Sequence, residues 1–173
     1  PIKAAETMDK LNTVAKTLIS KMYSKYIDNP NGMDLIKDEH KKIVRNAIKD
    51  MKKNFVTSNM EENIPERSGG DTSYVVDKGD VFAMCLRDPK NGNQLDPKFN
   101  DLTFVLIHEI SHLGCKEWGH PPSFWTLFRF VLQEAVEFEL YTSIDYKQVG
   151  SPYCGIVISY SPLYDTKLVD YRK

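Results

Sequence analysis

Two histidines and a glutamate lie close together in the middle of this chain, in an otherwise apolar segment. His108 and His112 stand four residues apart, with Glu109 between them, directly after the apolar run Phe104–Ile107. Residues four apart lie on one face of an α-helix, where two imidazoles can bind one zinc ion. Because uncompensated histidine and glutamate side chains are costly to bury, the spacing predicts a largely buried helix with a metal site on one face.

The position of Glu109 indicates what such a site would do. Glu109 follows His108 by one residue, so its side chain is rotated by about 100° around the helix. From there it would reach the fourth coordination position of a zinc ion rather than the ion itself. A water in that position loses a proton more easily, and Glu109 would accept this proton and pass it to a leaving amine. The pattern predicts a zinc-dependent endopeptidase with Glu109 as its catalytic base.

A catalytic zinc ion usually has three protein ligands, and the sequence offers several candidates for the third. We expect His120, because Gly114 ends the predicted helix and Gly119 allows the backbone to turn back tightly toward the metal. Three other residues remain open as alternatives: Glu134, Glu137 and Cys115.

These residues resemble the signature of a known peptidase family. His108–His112, followed by Gly119-His120-Pro121-Pro122-Ser123-Phe124-Trp125, is similar to the HExxH and GHxxxF pattern of the WLM and SprT-like (Spartan-related) zinc metallopeptidases. The segment Met84–Arg87 fits the strand that precedes the zinc helix in these enzymes. Tyr153–Gly155 resembles a stretch of the WLM-type proteins of large DNA viruses. The resemblance covers roughly residues 70–160.

The resemblance implies a minimal zincin-like domain of the α+β class, mostly helical, with a small sheet beside the active-site helix. It also implies that His108, His112 and His120 bind Zn²⁺ and that Glu109 is the base. Cellular members of the family degrade proteins crosslinked to DNA, and some act on ubiquitin-like conjugates. A protease for DNA–protein crosslinks is therefore an alternative function for this chain.

The length of the chain predicts a single domain over residues 1–173, and the apolar periodicity predicts an N-terminal helical part (1–56). The resemblance implies that the zincin core covers residues 70–160. Residues 57–72 are polar and contain proline and glycine, so we expect a loop there. The tail after Tyr146 is expected to be mostly irregular, with a short strand at Ile156–Ser159. The predicted helices are 7–26, 34–55, about 100–113 and 122–141, and the predicted strands are Ser73–Val76 and Asp80–Arg87, joined by a turn at Gly79.

The second predicted strand has two interpretations. It is either an ordinary strand of the sheet or an edge strand that pairs with the extended backbone of a substrate and holds it over the metal. In the second case its substrate-binding residues are Val81, Ala83, Met84 and Cys85.

Hydrolysis of a peptide bond also needs a donor for the oxyanion that forms in the transition state. Tyr153 is the candidate for this role, with Tyr146 and Tyr160 as alternatives. The nearby aromatic residues 124–130 are more typical of a packed core than of a substrate pocket.

The charge balance argues against one class of function. The chain has 23 basic and 24 acidic residues and a net charge of −1, which does not suit a protein that coats nucleic acid or an anionic membrane. The predicted helix 34–55 has a basic face, which we interpret first as a solvated surface. A nucleic-acid-associated binding module with a structural zinc remains the alternative to the peptidase.

Three widely spaced cysteines do not form a disulfide framework, so we expect a reducing, intracellular compartment: the cytoplasm or nucleus, or the virion or viral factory for a viral protein. Cys115 is expected to be an ordinary buried thiol, with a disulfide to Cys154 as the alternative. No apolar run approaches the length of a membrane span. We expect a monomer that acts on a protein or peptide substrate, with DNA association as an open alternative.

Overall fold

Four α-helices form the framework of the structure, a computed structural model that describes residues 2–91, 94–95 and 98–173. The architecture is α+β, as predicted. Helix α3 carries the histidine motif and contacts the other three helices, so it lies at the centre of the fold. The helices are α1 (Ile2–Tyr23), continued by a π-helical turn (Ser24–Asp28), α2 (Lys41–Asn54), α3 (Phe99–Gly114) and α4 (Pro122–Glu137).

One hydrophobic cluster extends through the whole of the described chain. Its buried members run from Ala4 near the N-terminus to Tyr171 near the C-terminus. The two N-terminal helices and the segment that carries the histidines therefore share a core. Among the described residues, no helix combines the length and the apolar character that a membrane crossing requires.

Helices α2 and α3 pack closely because a glycine ends α3. Helix α2 buries its apolar stripe, including Ala47 and Met51, and exposes most of its lysines. A β-carbon at Gly114 would lie 2.7 Å from Met51 Cε and 2.9 Å from the carbonyl oxygen of Ala47. Gly114 thus fixes the end of α3 against α2, where any side chain would force the two helices apart.

The N-terminal bounds of two helices differ from the prediction. Helix α1 begins at Ile2 rather than at residue 7. Helix α2 begins at Lys41 rather than at residue 34, because two short 3₁₀ turns, Gly32–Leu35 and Asp38–His40, precede it. Between these turns the backbone is extended, which interrupts an apolar pattern that otherwise continues the helical period.

Helix α4 ends four residues before its predicted end. Glu139 adopts a positive φ of 59°, and the N–H of Leu140 donates to the carbonyl oxygen of Ala135 at 2.9 Å. This arrangement closes a helix and usually places glycine at the positive-φ position. A glutamate there gives no signal in the sequence.

The main sheet has three strands, β1 (Met60–Asn63), β2 (Tyr74–Val76) and β3 (Val81–Cys85), in the order β1-β3-β2. The predicted turn at Gly79 is confirmed, because β2 and β3 pair antiparallel on either side of it. Strand β1 pairs parallel to β3. The expected loop over residues 57–72 is therefore wrong at its start, where the polar segment Met-Glu-Glu-Asn gives no strand pattern of its own.

Strand β3 lies in the centre of this sheet, so its interpretation as a substrate-binding edge strand is wrong and the alternative, an ordinary strand of the sheet, is confirmed. It is hydrogen-bonded to β1 on one side and to β2 on the other, which leaves no free edge for a substrate backbone. Ala83, Met84 and Cys85 are fully buried, and Val81 is half-buried. These residues form the core of the sheet, and the edge strand on the side of α3 is β2.

Two small hairpins complete the structure. Strands β4 (Arg87–Asp88) and β5 (Gln94–Leu95) form the first. In the tail, β6 (Ser151–Tyr153) pairs with β7 (Ile156–Ile158), which agrees with the predicted strand and adds a partner. The turn between them is Cys154-Gly155, and both residues have positive φ, 47° and 81°. This is the backbone twist that two-residue hairpin turns prefer.

The tail hairpin is fixed to the body of the protein by a disulfide and by hydrogen bonds. A disulfide joins Cys154 to Cys85 at the end of β3, with a Cα–Cα distance of 6.2 Å. The buried carboxylate of Asp101, in the first turn of α3, accepts hydrogen bonds from Tyr146 Oη (2.6 Å) and Ser151 Oγ (2.5 Å). The pairing of Cys85 with Cys154 was not among the expectations from the sequence. Cys115 is a free, buried thiol, so the prediction for it is confirmed and the alternative disulfide between Cys115 and Cys154 is wrong.

Candidate metal centre

Three histidines converge on one point in front of helix α3. His108 and His112 lie one turn apart on α3, and His120 lies in the loop just before α4. One ring nitrogen from each of the three falls within 4.8 Å of the other two, and the Nε2 atoms of His108 and His120 are 3.0 Å apart. Ligand nitrogens around a tetrahedral zinc ion are about 3.3 Å apart. The distance between His108 and His120 is close to this spacing, and the three side chains together could hold a metal ion.

Aromatic side chains of α4 surround the three imidazoles. The ring of Phe124 stacks on His112 with 4.2 Å between the centroids, and Phe128 meets His108 edge-on at 5.2 Å. Trp125 lies 5.6 Å from His120. These contacts orient the imidazoles and remove water from one side of each. The aromatic residues expected in the core therefore also form the support of the histidine cluster.

The surroundings keep the histidines neutral. Burial, together with the neighbouring histidines, lowers the pKa of His108 to about 3 and that of His112 to about 4. Burial also lowers the pKa of His120. Only the neutral imidazole binds a metal ion, so the set is ready to bind a cation at neutral pH without first losing protons.

Glu109 lies beside the histidines, and one of its two carboxylate oxygens lacks a hydrogen-bond partner among the described residues. Its side chain is buried, and Oε1 lies 4.0 Å from His108 Nε2. Its Oε2 is buried and has no hydrogen-bond partner among the residues that the structure describes. Burial raises the pKa of this carboxyl to about 8. A buried polar atom without a partner is costly, and a bound cation with its water is the kind of ligand that would remove this cost.

The structure places His120 next to the other two histidines and places the alternative candidates for the third metal ligand elsewhere. Glu134 and Glu137 lie near the far end of α4, where both make ion pairs with Lys25 and Arg172. Cys115 points toward Ser123, with 3.9 Å between Sγ and Oγ. Within residues 2–91, 94–95 and 98–173, the one group of three or more metal-binding side chains is His108, His112 and His120.

Lys78 supports the loop that carries His120, and sequence reasoning did not single it out. This lysine lies in the turn between β2 and β3. Its Nζ donates hydrogen bonds to the carbonyl oxygens of Cys115 (2.5 Å), Glu117 (2.8 Å) and His112 (3.3 Å), and it lies 4.9 Å from the ring of Trp118. Its partners are 34 to 39 residues away along the chain, so no local pattern could have indicated this role.

Tyr153, the candidate oxyanion donor, lines a cavity next to the histidines, but its hydroxyl is already hydrogen-bonded. It is buried, its hydroxyl donates to the carbonyl oxygen of Cys85 (2.9 Å), and it lies 2.5 Å from Ser73 Oγ. The alternatives are engaged elsewhere: the hydroxyl of Tyr146 donates to Asp101, and that of Tyr160 donates to Asp165. The assignment of the oxyanion donor to Tyr153 stays a prediction.

Two cavities flank the histidines and form one cleft. The first, of about 250 Å³, is bounded by the edge strand β2 and by the loop before His120. The second, of about 320 Å³, is bounded by α4 and the tail hairpin. Both are lined by Ser73, His108, Glu109 and His120, so the candidate metal centre lies where the two meet. An extended chain laid along β2 would cross this point.

The chain is similar to viral proteins. The uncharacterized protein R325 of Acanthamoeba polyphaga mimivirus is 38% identical over 97 residues, which make up 56% of this chain and 47% of that protein. The uncharacterized protein 136R of Invertebrate iridescent virus 6 is 36% identical over 72 residues, 42% of this chain and 40% of that protein. The uncharacterized protein 042R of Invertebrate iridescent virus 3 is 33% identical over 64 residues, 37% of this chain and 38% of that protein.

The chain therefore spans less than half the length of each of these relatives. No family model and no solved structure matches it. The zincin-like fold and the WLM or SprT-like assignment accordingly stay predictions. The relatives are consistent with a viral origin, whereas the disulfide carries no information about the compartment.

Proposed function

We propose that this chain is a zinc-dependent endopeptidase. The observation that carries the proposal is the convergence of three neutral histidine side chains next to a buried glutamate with an unpartnered oxygen. A closed structural site would fill the fourth coordination position with protein. Here no fourth metal-binding side chain of the described residues joins the group, and the three histidines border an open cleft. This arrangement is more typical of a catalytic zinc site than of a structural one.

His108, His112 and His120 would hold the ion, which when bound supplies a positive charge that polarises a peptide carbonyl and makes water more acidic. Glu109 would act next to it as the base. A bound cation would favour the ionised form of this carboxyl, whose pKa burial raises, and its unpartnered Oε2 would then accept a proton from the attacking water and deliver it to the departing amine. The apolar surroundings of Glu109 keep bulk water from competing for that proton.

The substrate would lie in the cleft as an extended chain. The edge strand β2 offers unpaired backbone groups on the side of the histidines, and Ser73, Tyr74 and Val75 line the cavity there. Pairing with an exposed edge is a common way to bind an extended peptide. Strand β2 thus takes the role that the sequence suggested for β3.

The first experiment measures metal content and its dependence on the third histidine. We expect about one zinc ion per chain by elemental analysis after reconstitution, and a sharp loss in His120→Ala. His40→Ala is the matched control, because His40 lies outside the cluster and packs against Tyr171. Absence of zinc from the reconstituted parent protein would end the proposal.

The second experiment tests the base. Glu109→Gln keeps the shape of the side chain but removes the proton acceptor, so it should keep its zinc and lose about 10²- to 10⁴-fold in the rate of casein hydrolysis. Equal rates for the parent and Glu109→Gln would show that the hydrolysis does not depend on this site.

A further inference from the structure

The cavity between the metal centre and the tail hairpin is built from large apolar side chains. Its volume is about 320 Å³, within the usual range for a binding pocket. Phe104 and Phe128 are buried and form the floor. Trp125 and Tyr160, whose rings meet edge-on at 5.3 Å, and Ile156 form the mouth. The cavity is thus an apolar recess that begins at the reacting end of the cleft.

Ionisable groups border this recess at the metal centre. Besides His108, Glu109 and His120, none of the described residues that line it is acidic or basic. Its remaining polar side-chain groups are the indole N–H of Trp125 and the hydroxyls of Thr72, Ser73, Ser159 and the two tyrosines. A charged side chain placed here would lose its hydration without gaining a counter-ion. A large apolar side chain would gain about 1.5–3 kcal/mol from full burial. The recess therefore selects against charge and in favour of apolar bulk.

The tail hairpin supplies the outer wall in a fixed orientation. Tyr153 and Ile156 are paired opposite each other across β6 and β7, and Ile158 lies on the same face. All three line the recess, whereas Val157 points to the other face and does not. The disulfide between Cys85 and Cys154 and the hydrogen bonds to Asp101 hold the hairpin against the body of the protein. A preformed wall binds without the cost of ordering a loop.

We propose that the β6–β7 hairpin is the specificity element of this cleft, and that the recess it closes takes a large apolar side chain of the substrate, such as Phe or Leu, next to the cleaved bond. This inference rests on the proposed peptidase function. It assigns to residues 153–160 a role in substrate selection.

The test compares two neighbouring, exposed residues of β7. Ile156 is 52% exposed and lines the recess, and Val157 is 60% exposed and faces away. Zinc-loaded parent protein, Ile156→Asp and Val157→Asp are assayed on internally quenched peptides that carry Phe, Leu, Ala or Asp at each position around the cleavage site in turn. We expect kcat/KM of the parent to favour Phe and Leu over Ala at one position by about 10- to 100-fold.

Ile156→Asp should abolish this preference, and Val157→Asp should keep it. The inference is overturned if the parent cleaves all peptides equally well, or if Val157→Asp loses the preference as fully as Ile156→Asp. Thermal unfolding of both variants should match the parent, which would exclude a general loss of folding as the cause.

A binding measurement separates this inference from the proposed function. Zinc-loaded Glu109→Gln is titrated by calorimetry with the Phe and Asp peptides, with and without Ile156→Asp. If nothing is hydrolysed but the Phe peptide binds and Ile156→Asp abolishes that binding, the apolar subsite stands and the peptidase fails. If peptides are hydrolysed without a side-chain preference, the peptidase stands and the subsite fails. If the Phe and Asp peptides bind equally to Glu109→Gln, the subsite fails as well.

Discussion

Two clusters of polar side chains lie at opposite ends of helix α4. They differ in whether their buried polar groups have partners within the protein. The ion-pair cluster (Lys25, Glu134, Glu137 and Arg172) contains two acids and two cations, each acid paired with both cations, with Lys25 Nζ 2.9 Å from Glu134 and 3.0 Å from Glu137. The histidine centre, His108, Glu109, His112 and His120, has no such balance. Its imidazoles are neutral, and one buried carboxylate oxygen of Glu109 has no partner within the described chain.

The contrast shows how to distinguish a structural polar cluster from a functional one. Buried charges that hold each other in pairs need nothing more. Buried groups that lack a partner within the fold destabilise it unless a ligand supplies one. Both clusters contain side chains that can bind a metal ion, and the counter-ions, rather than the residue types, indicate which one is suited to do so.

The largest expected effect concerns Glu134, which is fully buried. In Glu134→Ala, Lys25 and Arg172 lose the buried acid of the cluster and keep the half-exposed Glu137 as an ion-pair partner. We expect the free energy of unfolding in urea to fall by about 2–3 kcal/mol, somewhat less than for a fully buried pair because both cations are about a quarter exposed. Zinc content should not change.

The exposed helix residue Glu6 provides the control for this substitution, and Glu6→Ala should alter stability little. Loss of zinc from Glu134→Ala to the extent seen in His120→Ala would contradict the assignment of this cluster to structure alone.

The next effect concerns two lysines: Lys25 in the ion-pair cluster and Lys78 beside the histidine centre. Burial alone would lower the pKa of Lys25, but its hydrogen bonds with Glu134 and Glu137 outweigh burial and raise it. Burial lowers the pKa of Lys78, whose hydrogen bonds go to backbone carbonyls. Lys25 therefore neutralises charge, whereas Lys78 positions the loop that carries His120.

Lys78→Met should accordingly weaken zinc binding, measured by competition with a chelator, by about 10- to 100-fold, as for other residues that orient metal ligands. Lys78→Arg keeps a charged donor and should recover part of the affinity. In the background of His120→Ala, Lys78→Met should have little further effect, because the ligand that it positions is gone. An equal loss of affinity in both backgrounds would show that Lys78 acts by some other route.

The same comparison explains what could be predicted from the sequence. The pair His108 and His112 follows from the helical period, because the two residues are four positions apart within one helix. Glu134 and Glu137 could not be excluded as ligands, because Lys25 is 109 residues before Glu134 and Arg172 is 38 residues after it. Residue types and spacing indicate which side chains can bind a metal ion, but their partners depend on tertiary contacts.

The sheet shows the same limit. Strand β3 is recognisable as an apolar run, but its central position depends on β1, whose sequence Met-Glu-Glu-Asn carries no strand pattern. The disulfide joins Cys85 and Cys154 across 69 residues, and three cysteines allow several pairings. In both cases the local sequence is compatible with the observed structure without specifying it, so the walls of the cleft were less predictable than its histidines.

The smallest expected effect is the pH dependence of the ion-pair cluster. Burial alone would raise the pKa of Glu137, but the hydrogen bond and charge of Lys25 and the charge of Arg172 outweigh it and lower the pKa below its usual value of 4.5. A carboxylate with a lowered pKa stabilises the folded state above the unfolded-state pKa, and this contribution is lost as the pH falls through the folded-state pKa. Because Glu137 is about half exposed, the contribution should be below about 1 kcal/mol.

This prediction compares the parent with Glu137→Gln by urea unfolding, both in EDTA so that metal release does not contribute. The parent should be the more stable protein at pH 7, and the difference should shrink as the pH falls below the usual carboxyl pKa of 4.5 and through the lowered pKa of Glu137 in the folded protein. A difference that persists unchanged at low pH would mean that Glu137 stabilises the fold through packing. The ion-pair cluster would then depend on Glu134 for its charge balance, which would make the loss in Glu134→Ala correspondingly larger.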